Sequence, residues 1–148
     1  MPSAKTSCFV DTNLLVYAID PAEPDKRPII ADLLRRTIRN RTLVLSPQSL
    51  NECYRVITDR RGMSRDAARG YIAALSPNCS APLNYNVQRR AWRIQDEARL
   101  SWWDCLLIAS ASLAGCGIFL SEDMQHEQQV LDVRILNPFK TELLDLPI

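Results

Sequence analysis

Cys8-Phe9-Val10-Asp11-Thr12-Asn13-Leu14-Leu15-Val16-Tyr17 is the stretch from which the rest of the chain is read. Ser7 to Asp11 has the composition of a short buried strand, and Asp11-Thr12-Asn13 is a turn or helix start before an apolar run. A carboxylate in apolar surroundings is costly unless its charge is compensated. Three more acids stand at similar junctions: Glu52 in Ser49-Leu50-Asn51-Glu52, Asp104 in Ser101-Trp102-Trp103-Asp104, and Asp123 in Phe119-Leu120-Ser121-Glu122-Asp123. In a parallel sheet such strand ends converge on one edge, where ligands bind. Two unit charges about 4 Å apart repel by roughly 4 kcal/mol at an effective dielectric of about 20. A hard divalent cation relieves such a cluster, and Mg²⁺ favours carboxylates, waters and substrate phosphates. The pattern points to metal-assisted cleavage of a phosphodiester.

Outward from that stretch, the spacing predicts a helix from about Lys26 to Asn40 and a strand over Thr42 to Leu45. A helix over Gln48 to Asp59 follows, then one capped by Ser64 and running through Leu75. A third strand is expected near Ala81 to Tyr85, a helix capped by Asn86 running to Arg99, and another capped by Ser101 through Ala114. Gly115 and Gly117 end that helix, and Ile118 to Leu120 and Val133 to Leu136 are the last strands. Short strands alternating with longer helices imply a mainly parallel sheet covered on both faces. The 148 residues suit one domain, with no repeat or linker to divide it.

No apolar run approaches the roughly 20 residues of a membrane span, and the N-terminal residues lack the features of a secretory signal. Cys8, Cys53, Cys79, Cys105 and Cys116 have no CxxC spacing and only one His to join them, which argues against zinc and against a disulfide framework. Buried thiols in a reducing cytosol fit best. The net charge is +1, yet residues 1–70 hold twelve Lys or Arg against eight acids and residues 71–148 hold six against nine. The excess gathers at Arg35, Arg36, Arg39 and Arg41 and again at Arg55, Arg60, Arg61, Arg65 and Arg69. Taken alone this is a solvated surface; beside an acidic metal site it becomes a surface for phosphates.

Each acid also has a purely structural reading. Ser49-x-x-Glu52 and Ser101-x-x-Asp104 resemble capping boxes, Asp123 suits a helix N-terminus, and Asp11 could form an Asx-turn. Trp102, Trp103, Leu106 and Leu107 around Asp104 weigh against capping alone. Of the two tryptophans, either of which could stack on bases, Trp103 is expected to pack inside. Cys53 and Cys105 are expected to face the core, and His126 to sit on an exposed helix.

The four acidic segments, in order and spacing, resemble the motifs of PIN domains: Val10 to Tyr17, Gln48 to Glu52, Trp102 to Ala109, and Leu120 to Gln125. Ile135-Leu136-Asn137-Pro138-Phe139 is also similar, so the resemblance spans nearly the whole chain. It implies a three-layer α/β/α sandwich with a central, mainly parallel sheet of short strands. The single-domain length resembles the VapC toxins of bacterial and archaeal toxin–antitoxin pairs. The implied activity is that of a Mg²⁺- or Mn²⁺-dependent endoribonuclease, with Asp11, Glu52, Asp104 and Asp123 as metal-site acids. Thr12, Asn13 and Ser121 become polar supports, and Glu122 is the rival of Asp123. An RNA substrate, a VapB-like antitoxin, a homodimer and a cytoplasmic location are further implications.

Rival readings remain. A phosphotransferase using Asp11 as nucleophile would want an acid where Asn13 stands. A receiver-like domain would want an adjacent acidic pair and a late Lys, and only Lys140 follows Lys26. A catalytically inactive nucleic-acid-binding scaffold of the same fold is the alternative from a different class.

Overall fold

The computed structural model describes residues 4–148. A five-stranded sheet has β1 (Cys8–Val10) second from one edge, with β2 (Leu43–Val44) outside it and β3 (Ile118–Leu120), β5 (Val133–Leu136) and β4 (Gln129–Val130) on its other side, in the order β2-β1-β3-β5-β4. All pairs are parallel except the β4–β5 hairpin.

Alternation along these strands divides the core in two. Cys8, Val10, Leu43, Ile118, Leu120 and Leu136 belong to one apolar cluster. Phe9, Val44, Phe119, Val133 and Ile135 belong to the other, where Phe9 and Phe119 stack at 5.1 Å. The first cluster is covered by α1 (Thr12–Tyr17), α2 (Lys26–Arg39), α3 (Pro47–Asp59) and α4 (Arg65–Leu75), through residues such as Leu14, Ile30, Leu33, Cys53, Ile57 and Ala68. The second is covered by α5 (Tyr85–Glu97) and α6 (Trp102–Leu113), through Val87, Ala91, Ile94 and an almost continuous buried run from Cys105 to Ser112. Layers of helix, sheet and helix result, the sandwich that the resemblance implies.

Several local expectations are corrected. Ala81 to Tyr85 is not a strand; Ala81 N–H bonds the Leu45 carbonyl at 3.1 Å, but the chain then turns at Asn84, whose side chain caps α5 in place of Asn86. Ser46, rather than Ser49, caps α3, with Pro47 at the first helical position and Ser49 closing the capping box. That frees Glu52, a turn further on, from any capping role. The apolar residues of Ile29–Leu34 and Cys53–Ile57 go largely into the core, leaving Ile29 and Ile38 exposed on α2. Gly115, at φ +78°, ends α6 as expected for a left-handed C-terminal cap.

The order of strands positions the site. From β1 the chain moves outward to β2, then returns across β1 to β3 on its other side. The crevice beyond the ends of β1 and β3 is therefore a topological switch point, where α/β sheets place their ligands.

Candidate active site

Asp11 follows β1 at this crevice. Its backbone N–H donates to the Leu120 carbonyl at 3.0 Å, which ties the ends of β1 and β3 together. Its Oδ1 accepts the Thr12 backbone N–H at 2.8 Å and its Oδ2 accepts the Ser121 hydroxyl at 2.8 Å. Asp11 thus caps α1, where the structural reading expected an Asx-turn, and its second oxygen is held by a residue 110 positions away. Burial pushes its carboxyl up, the Ser121 and Thr12 donors oppose the rise, and Asp104 and Asp123 add to it, with a resulting pKa of about 6.

The other three acids arrive from different elements. Glu52, on the second turn of α3, accepts the Thr12 hydroxyl at 3.0 Å and the Gln48 amide at 3.0 Å. Asp104 stands in the first turn of α6. The Ser101 hydroxyl accepts the Asp104 backbone N–H at 3.2 Å, whereas no bond from the Asp104 carboxylate back to the Ser101 N–H is present among the described residues. The capping box is half made, and the Asp104 carboxylate keeps only its contact with the Ser101 side chain. Burial pushes Asp104 up, the Ser101 contact opposes it, and Glu52 and Asp123 push it further. Asp123, after β3, accepts the Asn13 amide. Thr12, Asn13 and Ser121 each therefore hold an acid by a direct hydrogen bond.

Asp11, Glu52, Asp104 and Asp123 all line one open cleft of about 890 Å³, together with Gln48, Arg55, Arg60, Leu83 and Trp103. None of the four has an ion-pair partner among the described residues. Glu122 differs: Lys26 Nζ reaches its Oε1 at 2.5 Å and the Tyr17 hydroxyl its Oε2 at 2.6 Å. Burial pushes the Glu122 carboxyl up, but those two donors more than offset it and hold it below the usual range. The Lys26 ammonium also lies 4.8 Å from the Tyr17 ring centroid. Glu122 is thus satisfied outside the cleft, neither a cleft acid nor a freely solvated one.

His126 is half-buried, and its Nδ1 accepts the Asn137 backbone N–H at 2.9 Å. It is a loop anchor, contrary to the exposed helix expected. The tryptophan expectation is reversed too: Trp102 packs against the α5–α6 core, while Trp103 is 63% exposed. Cys53 and Cys105 are buried as expected. Gln48 was missed, although it lies four residues before Glu52 and so on the same face of α3. Its amide also reaches the Trp103 carbonyl at 3.3 Å, tying α3 to the start of α6.

The donor chemistry suits a hard divalent cation: four carboxylates without an ion-pair partner among the described residues, one of them nearly buried and protonated more readily than an ordinary Asp. As the side chains stand, no three acids among the described residues are close enough together to hold an ion. Rotation of Glu52, Asp104 or Asp123 is therefore needed, and each of these lies on a partly or fully exposed position that allows it.

A model of the PIN domain family matches residues 8–129. The chain belongs to the PIN domain family. The match takes in all four cleft acids. A comparison with curated proteins finds no match. Among solved structures, this PIN domain is similar to VapBC2 from Rickettsia felis, bound to a DNA fragment from their promoter, with a TM-score of 0.63, 14% identity, and coverage of 88% of this chain and 97% of that one. It is also similar to VapC20 from Mycobacterium tuberculosis, described as a sarcin–ricin-loop-cleaving toxin, with a TM-score of 0.56, 20% identity, and coverage of 76% and 87%. At these identities the likeness is one of fold. No helix of the described PIN domain is long and apolar enough to cross a membrane.

Proposed function

We propose that this PIN domain, a single unit over residues 1–148, is a metal-dependent endoribonuclease that hydrolyses RNA phosphodiester bonds as the toxin of a type II toxin–antitoxin pair. The observation that carries the reading is the cleft at the switch point, lined by four acids that have no ion-pair partner among the described residues. Asp11 and Asp104 would hold the principal Mg²⁺ or Mn²⁺, with Glu52 and Asp123 at its margin. An ion held by these carboxylates would supply Lewis-acid chemistry to a phosphate oxygen and to water. The chain's own contribution is orientation. Ser121 and the Thr12 N–H fix the Asp11 rotamer, Thr12 and Gln48 hold Glu52, and Asn13 holds Asp123. Attack by water leaves a 5′-phosphate and a 3′-hydroxyl. Attack by the RNA 2′-hydroxyl normally needs a pair of histidines, and His126 is the one His here.

Incubation of the purified protein with 5′-labelled RNA and Mg²⁺ or Mn²⁺ should give fragments bearing those ends, and EDTA should stop the reaction. Cleavage that persists in EDTA with cyclic-phosphate ends would overturn the reading. RNA binding without turnover under every metal condition would favour the inactive scaffold.

The same reading includes a VapB-like antitoxin, a homodimer and action in the cytoplasm, where the free cysteines stay reduced. An antitoxin Arg inserted beside Asp11 and Asp104 would form charge-assisted bonds and exclude both metal and RNA. Sedimentation at micromolar concentration checks the assembly. Twice the chain mass alone, and a larger species with the antitoxin, is expected; a monomer indifferent to the partner would count against it.

A further inference from the structure

We infer that Trp103 is a stacking platform for one unpaired base of the RNA, placed beside Asp104 so that it selects where the strand is cut. The inference rests on the nuclease reading and adds a residue that positions the strand in the cleft. Trp103 occupies the first turn of α6, and its indole is 63% exposed where it lines the cleft. The other two tryptophans are differently engaged. Trp102 packs into the α5–α6 core, and Trp92 meets the edge of Tyr85 at 6.0 Å, outside the lining of this cleft. Trp103 has no aromatic partner among the described residues.

Its position is fixed although its ring is free. One side chain, Gln48, donates to the Trp103 backbone carbonyl at 3.3 Å and to Glu52 at 3.0 Å, so the first turn of α6 and a cleft acid are held in register. Arg55 and Arg60 line the same cleft from the end of α3 and just beyond it. Arg55 has only a loose pairing with Asp59 at 3.8 Å, with both side chains exposed. Cations that track the phosphate backbone, with an aromatic face for a base, are what sequence-tolerant binding of single-stranded nucleic acid requires. In an A-form duplex the bases are already stacked on each other, so only a splayed base can use a free indole face.

The test is fluorescence anisotropy of a labelled single-stranded oligoribonucleotide in EDTA, which suppresses cleavage, with a blunt duplex of the same sequence in parallel. Trp103→Ala should weaken single-strand binding about 10- to 100-fold, and Trp103→Leu should lose nearly as much despite its apolar bulk. Trp103→Phe should restore most of the affinity, Trp92→Ala should leave it unchanged, and duplex binding should be weak and indifferent to all four. With Mg²⁺, Trp103→Ala should raise KM far more than it lowers kcat and should spread the cut positions. Trp103→Leu matching wild type, or an alanine variant that loses only its protein partner, would overturn the inference. Should Trp103→Ala fold poorly, the Leu and Phe variants still decide. Wild-type protein that cleaves RNA with Trp103→Ala indistinguishable from it removes the stacking role alone; wild type that neither binds nor cleaves RNA removes the nuclease reading as well.

Discussion

Asp11→Asn is expected to abolish RNA cleavage and, in EDTA near pH 7.5, to raise the stability of the fold. Asp11 is nearly buried, and its pKa stands at about 6 against an ordinary 3.8. A folded-state value above the unfolded one means that protonation stabilises the folded chain. That stabilisation is fully present below the unfolded pKa and is lost as the pH rises through about 6. Above that, holding the bare carboxylate costs about 3 kcal/mol by the conversion of pKa to free energy. An Asn keeps an oxygen for the Thr12 N–H and turns a donor towards the Ser121 hydroxyl, which can rotate to accept it. Allowing about 1 kcal/mol for the altered hydrogen bond, the variant should be more stable by about 2 kcal/mol. Thermal melts of both proteins in EDTA between about pH 4 and 8 check the sign. At acid pH, where wild type is protonated, the variant should be the less stable by about 1 kcal/mol, and it should overtake wild type as the pH rises towards about 6. A variant less stable than wild type at every pH would mean that Asp11 serves only as the cap of α1.

Asp104→Asn should lower kcat/KM for RNA by more than about 100-fold, beyond the usual cost of losing an outer support of a metal ligand. Its stability in EDTA should be unchanged or higher. The Ser101 cap uses the backbone N–H of Asp104, so the start of α6 survives loss of the carboxylate. Ser101→Ala is the complementary variant, costing about 1 kcal/mol of stability while leaving the carboxylate in place and cleavage largely intact. Kinetics and melts on the pair separate the two roles. If Asp104→Asn melts much lower and still cleaves, the acid belongs to the helix and not to the site.

The acids were legible because each is anomalous where it stands. Asp11 directly follows an apolar strand, and Asp104 sits between two tryptophans and an apolar helix. The layers were legible because Phe9 and Phe119 alternate with apolar neighbours on both sides, which only a sheet covered twice can bury. Other features lay below the reach of local pattern. Ser46 and Ser49 are both able caps, and Pro47 at the first helical position decides between them. Asn84 and Asn86 compete in the same way for α5. The β4–β5 hairpin turns through Leu131 at φ +52°, where Gly or Asn would have announced it, and β4 has only two residues. Trp102 and Trp103 have similar sequence surroundings; which one faces the core depends on the rotation of α6, set by Ser101 at its start. The pairing of Glu122 with Lys26 joins residues 96 apart, and no short-range spacing reveals it.

The most direct test of the account is a crystal of the protein soaked in Mn²⁺ and measured at the manganese absorption edge. The account predicts an anomalous peak between the carboxylates of Asp11 and Asp104, with Glu52 or Asp123 rotated towards it and Glu122 still paired with Lys26. A peak elsewhere, or none at millimolar Mn²⁺ while the four acids keep their present positions, would contradict it.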